Sequence, residues 1–193
     1  MKHPSSREFF AYWDGKRGDA RAPDRSEIEP SALRGLLGDI FMLAYDFAAG
    51  YPFRVAGTRV CALFGRDMKE RSFSALFDRE SRREIEEIVA VVGDEMLPAI
   101  AGLTAKSARG ATTHLELLLL PFSARAHTPI SLTGLLAPFE THHGALDGPL
   151  DGPLGELSLA SWRYIHPPPE KIVPRALRKL KIARGFMVYE GLS

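Results

Sequence analysis

Cysteine is nearly absent from this 193-residue chain, in which Cys61 stands alone. A single thiol excludes an internal disulfide framework and any metal site built from several cysteines, and it suits a reducing compartment. Charge of one sign is not in excess either. The formal net charge is +1, so composition points neither to a nucleic-acid binder nor to an acidic-surface protein. Long apolar runs are missing: stretches such as Leu117–Phe122 fall far short of the ~20 residues a membrane helix needs. The N-terminal MKHPSSREFF lacks the apolar stretch of a signal peptide. A cytoplasmic protein with no membrane partner is expected. Catalytic signatures are also lacking. There is no G-x-S-x-G, no G-x-x-x-x-G-K-[ST] and no H-E-x-x-H, so no activated nucleophile, phosphate loop or zinc-bound water is indicated. The chain reads as a non-enzyme with no catalytic residue.

What the chain does contain is an ordinary apolar share, 45%, and enough length for one domain with extensions. Its pivot is Tyr51–Met68, YPFRVAGTRVCALFGRDM. Phe53 and Val55 alternate with Arg54 and Ala56, the period of a strand. At Gly57-Thr58 the period changes: Val60, Leu63 and Phe64 stand at i, i+3 and i+4, one face of a short helix. Thr58 is placed to cap that helix and Gly65 to stop it in a left-handed turn. A strand that breaks straight into a helix wraps chain over a sheet face and frames a pocket.

Around this corner the elements follow in order. Ser5-Ser6-Arg7-Glu8 has capping-box spacing, and Phe9, Tyr12 and Trp13 form an aromatic stripe expected to dock on the domain's own sheet. Residues 18–29 are loop-like. Pro30 opens a helix carrying Leu33, Leu36 and Leu37, ended by Gly38. Asp39–Asp46 reads as a strand that reverses through Ala48-Ala49-Gly50. A short helical piece covers Ser72–Phe77. Ser81-Arg82-Arg83-Glu84 caps the clearest helix, with Ile85, Ile88, Val89 and Val92 on one face. Met96–Thr104, Ala111–Leu120 and Ile130–Ala137 are three strands with links short enough for antiparallel neighbours. In the middle one Leu115 and Leu117 share one face and Glu116 and Leu118 the other, which suits a strand covered on both sides. Asp147-Gly-Pro-Leu, repeated from Asp151, marks a linker, with Leu157–Ile165 as a candidate further strand and Pro167-Pro168-Pro169 as a stiff extension. The expected division is an N-terminal helical segment over 1–38, a core over 39–140, and a linker with a basic extension over 141–193.

Two strands, several helices and three antiparallel strands is the order of a PAS domain, an α+β fold. At residue level the chain resembles the stand-alone PAS proteins of alphaproteobacteria (PAS_5-like). The resembling residues are Tyr12-Trp13 with Arg17-Gly18, then Pro23, Arg25, Ile28 and Pro30. Next come Phe53-Arg54-x-x-Gly57-Thr58-Arg59 and Leu63-Phe64-Gly65-Arg66, and last Leu115-Glu116 through Pro121, with Gly134 in the final strand. The resemblance implies a five-stranded antiparallel sheet with helices over one face, plus the N-terminal helix and a C-terminal extension. It also implies a signal-sensing or protein-interaction module in bacterial signalling, not an enzyme.

Candidate site residues follow from this frame. An inner pocket would be lined by Phe53, Val55, Leu63, Phe64, Ile85, Val89, Leu115 and Leu117, holding a small ligand or closed as packed core. Arg59 and Arg66 flank the short helix and could orient an anion. In the usual PAS strand order Arg54 and Glu116 lie about 14 Å apart, too far for an ion pair, so each serves locally, anchoring loops or the N-terminal segment. No cofactor is expected. Flavin-binding PAS domains carry a reactive cysteine directly after Gly-Arg-Asn; here Gly65-Arg66-Asp67 is followed by Met68. Haem-binding ones place a histidine on the long helix, and residues 81–93 contain none. No metal-ligand spacing is found either. The partner is expected to be a protein, including a second copy held through the N-terminal helix. The alternative is a nucleic-acid-associated regulator using the tail from Lys171 to Arg184, which has six basic residues and no acidic one but no recognition motif. The balance is against nucleic acid, so the full chain is expected to show no salt-dependent binding to duplex DNA. A binding isotherm that weakens as salt rises, and that disappears on deleting residues 170–193, would reverse this.

Overall fold

The computed structural model describes residues 1–123, 130–139 and 152–166. Its centre is one antiparallel sheet of β1 (Ile40–Ala44), β2 (Phe53–Ala56), β3 (Ala99–Ser107), β4 (Thr112–Pro121), β5 (Ser131–Pro138) and β6 (Leu154–Tyr164), in the spatial order β2-β1-β5-β4-β3-β6. Among the described residues three α-helices accompany it: α1 (Pro4–Arg17), α2 (Thr58–Phe64) and α3 (Arg79–Asp94).

The sheet is covered on both faces because its central strands are apolar on both. Leu115, Leu117 and Leu119 of β4 pack with α2, α3 and the 3-10 turn Ser74–Leu76 in a large inner cluster. Leu118 and Leu120 of the same strand, with Ile100 and Leu135, pack against Phe9 and Trp13 of α1 and against Leu33 and Leu36. The aromatic stripe of α1 thus docks on the sheet of its own chain. Ile85, Ile88, Val89 and Val92 of α3 all face the inner cluster and are buried, as their spacing requires.

Several local expectations are corrected. Among the described residues the sheet has six strands, not five. The sixth, β6, takes up the candidate strand read at Leu157–Ile165, starts earlier, at Leu154, and pairs along β3. The stretch after Pro30 forms only a 3-10 turn, Pro30–Leu33, which continues as turns to Asp39, and Leu37 stays exposed. A full helix would carry the chain away from β1, whereas this turn lets Gly38 receive α2. The first turns of two helices also start earlier than their Ser-x-x-Glu pattern suggests. For α1 the cap is His3, whose Nδ1 accepts from the Ser5 N–H at 3.2 Å. For α3 it is Asp78, which accepts from the Ser81 N–H at 2.8 Å.

At the pivot, Gly57 and not Thr58 occupies the cap position of α2, and no side chain caps it. The first amides of α2 bond backbone instead: the Arg59 and Val60 N–H groups donate to the Gly38 carbonyl at 2.9 and 3.1 Å. A Cβ on Gly57 would stand 2.2 Å from the Leu37 carbonyl oxygen and 2.3 Å from that of Gly38, so only glycine lets the two backbones approach. Gly65 ends the helix at φ 62°, ψ 23°, a left-handed stop. Gly57→Ala is expected to destabilise the protein by about 1–3 kcal/mol, since backbone must shift to admit the methyl. Gly15→Ala, in open space within α1, is expected to leave stability unchanged or raise it by up to about 1 kcal/mol. Urea unfolding of both variants checks the contrast.

Candidate functional site

Three places in the fold gather the residues singled out from sequence. In the first, between the sheet and α3, Phe53, Leu63, Phe64, Ile85, Val89, Leu115 and Leu117 converge, each no more than 6% exposed. Their shared space is occupied by aromatic rings. Phe73 lies 5.6 Å from Phe41, 5.7 Å from Phe53 and 5.4 Å from Phe77, centroid to centroid, with Phe41 and Phe53 5.4 Å apart. Met68 is buried in the same cluster. The region reads as packed core.

Val55 does not belong to it. A bulge between Met42 and Leu43 pairs Met42 with Val55 but Leu43 with Phe53, leaving Arg54 as the extra residue. The extra residue breaks the alternation, so Phe53 turns inward while Arg54 and Val55 are both exposed.

The second place is the pivot. Arg59 is turned away from the interior: its Nε and Nη2 grip the Asp39 carboxylate at 2.6 and 2.7 Å, and Nη2 also donates to the Gly35 carbonyl at 2.7 Å. Asp39 is buried, and the hydrogen bond that Arg59 donates to this carboxylate raises the Arg59 pKa above its already high ordinary value. Arg59 therefore binds the turn before β1 to α2. Thr58 and Arg66 are exposed at the two ends of α2. Cys61 is half-buried, with the Ala56 carbonyl 4.0 Å from its sulfur.

The third place is the outer face of β4, where Trp13, Glu116 and Pro121 meet. The Trp13 Nε1–H donates to the Pro121 carbonyl at 2.9 Å, 108 residues away in sequence. Glu116, 4% exposed, accepts from the backbone N–H groups of Lys2 and His3 at 2.7 and 2.9 Å. These amides lie just ahead of α1, so the carboxylate also sits at the positive end of that helix. Arg54 and Glu116 are on strands separated by β1 and β5. A loop completes the dock: the Tyr12 hydroxyl oxygen accepts from the Glu29 N–H at 2.9 Å, and Lys16 pairs with the Glu29 carboxylate at 2.8 Å.

A fourth junction carries no sequence signal, because its partners are far apart in the chain. Asp78 receives the Ser158 hydroxyl, Ser81 Oγ accepts from the Leu159 N–H at 2.9 Å, and the Asp78 N–H donates to the Leu157 carbonyl at 2.9 Å. The Trp162 indole N–H donates to Glu84. The first turn of α3 thereby holds the outer edge of β6. Among the described residues no helix is long and apolar enough to cross a membrane, and no group of three or more metal-ligating side chains is found. The tail from Lys171 to Arg184 lies outside the described residues.

A sequence model of the family PAS_5, PAS domain, matches residues 1–137. No curated protein matches. Among solved structures, the chain is similar to the PAS domain from Bordetella pertussis BvgS, with 13% identity and a TM-score of 0.44 over 58% of this chain and 84% of that one. It is also similar to the PAS domain of an HTR-like protein from Haloarcula marismortui, with 18% identity and a TM-score of 0.41 over 57% and 91%. A third is the dark structure of the blue-light photoreceptor Aureochrome1 LOV, with 15% identity and a TM-score of 0.45 over 61% and 86%.

The hydroxyl of Ser158 and then the N–H of Ser81 hold the Asp78 carboxyl below its ordinary range. A lowered folded-state pKa contributes stability that is full above the unfolded carboxylate's pKa and is lost as pH falls through the folded one. Asp78→Ala is expected to lower stability by about 1 kcal/mol near pH 7, the usual cost of a lost cap. That difference should shrink in urea titrations as pH falls below about 4. Asp78→Asn keeps a capping oxygen and should lose much less near pH 7.

Proposed function

Because the chain belongs to the PAS_5 family of PAS domains, we propose that it is a sensing and interaction module that acts by protein–protein contact, with α1 as the element that makes or breaks the contact. The observation that carries this reading is the way α1 is held. Its stripe covers an apolar sheet face, but its polar attachment to the sheet is concentrated at two points of one strand, Glu116 at the middle of β4 and the Pro121 carbonyl at its end. Between them lies a weak point. The Ser6 hydroxyl is fully buried beneath α1 and finds no partner among the described residues. An unsatisfied buried hydroxyl costs about 1–3 kcal/mol, which loosens the dock.

Release of α1 would expose Phe9 and Trp13 on the helix and Leu118, Leu120 and Leu135 on the sheet, two apolar surfaces that call for a partner. A partner protein would meet either surface, and a second copy of this chain could exchange helices through them. The inner cluster would stay closed, so the switch needs no rearrangement of β1, β2, α2 or α3.

Hydrogen exchange of residues 4–17 tests this. Glu116→Gln, which removes the charge and one acceptor, is expected to weaken the dock by about 1–3 kcal/mol and speed exchange in α1 ahead of the sheet. Ser6→Ala, which removes the orphan hydroxyl, should slow it. Light scattering on Glu116→Gln reports whether the released state pairs with itself. If α1 exchanges only together with β4 and β5 in all variants, the helix is simply core and the reading fails.

A further inference from the structure

Helix α1 covers only part of the outer sheet face, above β4 and β5. Beyond its first residues the face opens as a groove of about 610 Å³ over β3, β4 and β6. The sequence explains the opening. In the cross-strand row Ser161–Gly102–Glu116, the central position has no side chain and one neighbour is only a hydroxymethyl. The next row, Arg163–Ile100–Leu118, is long and apolar at its centre. Directly opposed residues of antiparallel strands point to the same face, so Arg163 stands on the outer face beside Ile100. A small-residue trough is thus bounded by Ile100 and Phe139 as apolar surface and by Lys2, His114 and Arg163 as donors.

The charge balance of this groove is one-sided. Among its described lining residues the only carboxylate is Glu116, which accepts from two backbone N–H groups. Lys2 and Arg163 are exposed, and neither side chain has an ion-pair partner among the described residues. The volume lies within the roughly 300–1,000 Å³ of small-molecule sites. We propose that this groove binds a small amphipathic carboxylate, its apolar chain along Gly102 and Ile100 and its carboxylate toward Arg163 and Lys2. The site is distinct from the packed inner cluster. It deepens the sensing reading above and rests on it for its consequence: Lys2 is both a wall of the groove and, through its backbone, a point at which Glu116 holds the start of α1.

The test is calorimetric titration of the full chain with decanoate, with decanol as an uncharged control of the same chain length. Expected is saturable binding of one decanoate per chain, with decanol weaker by roughly tenfold or more, the scale of one charge-assisted contact. Arg163→Glu, an exposed substitution, should weaken decanoate roughly tenfold, and Arg54→Glu, on the far edge strand, should not. Absence of saturation, equal binding of decanol, or indifference to Arg163→Glu each overturns the proposal. Hydrogen exchange of α1 with and without decanoate separates the two readings. Binding that leaves α1 unchanged upholds the ligand site and removes the output, whereas release of α1 in Glu116→Gln without any decanoate binding removes the ligand site alone.

Discussion

A single buried carboxylate decides how the outer half of this molecule is arranged. Burying a charge without partners is expensive, and Glu116 sits at 4% exposure in an otherwise apolar strand. It is tolerated because two backbone amides at the start of α1 point into it. The dependence runs both ways. Lifting α1 would leave the carboxylate without those donors, and neutralising the carboxylate would take the acceptor from one of the two amides. The position of α1, the burial of Phe9 and Trp13, and the extent of sheet left open as the groove all follow from where this contact falls on β4.

The inner half rests on a different device. There the polar work is at the rim, where Arg59 and Asp39 close the β1–α2 junction and Gly57 allows backbone against backbone, while five phenylalanine rings pack in the interior. Two layers with separate anchors can respond separately. The layer that a PAS domain would be expected to open is here packed with its own side chains. The layer with a hydroxyl that has no partner among the described residues, and with the cationic trough, is the outer one.

The strand β6 joins these halves. It pairs with β3 along one edge and is held at the other by the first turn of α3, through Asp78, Ser81 and Glu84. It also supplies Arg163 and Ser161 to the groove. An element that began as a candidate addition to a five-stranded plan is thus bonded to both layers of the fold.

The sequence by itself determined whatever depends on neighbours a few residues apart. The strand-to-helix change at Gly57, the left-handed stop at Gly65, the buried face of α3 and the two-sided burial of β4 were legible because side-chain period and backbone conformation are local properties. The PAS order of elements followed from them, and so did the separation of Arg54 from Glu116. Only the tertiary structure decided the rest. Val55 faces solvent because a bulge, which pairing with β1 creates, breaks the alternation that its own strand displays. Arg59 is a structural clamp because Asp39, 20 residues earlier, is brought within hydrogen-bond reach. Glu116 meets Lys2 and His3 across more than 110 residues. The groove exists because β6, distant in the chain, sets Ser161 beside Gly102 of β3 in the row that ends at Glu116. Periodicity reports which face a residue occupies, but partners chosen by long-range chain closure leave no trace in the local pattern.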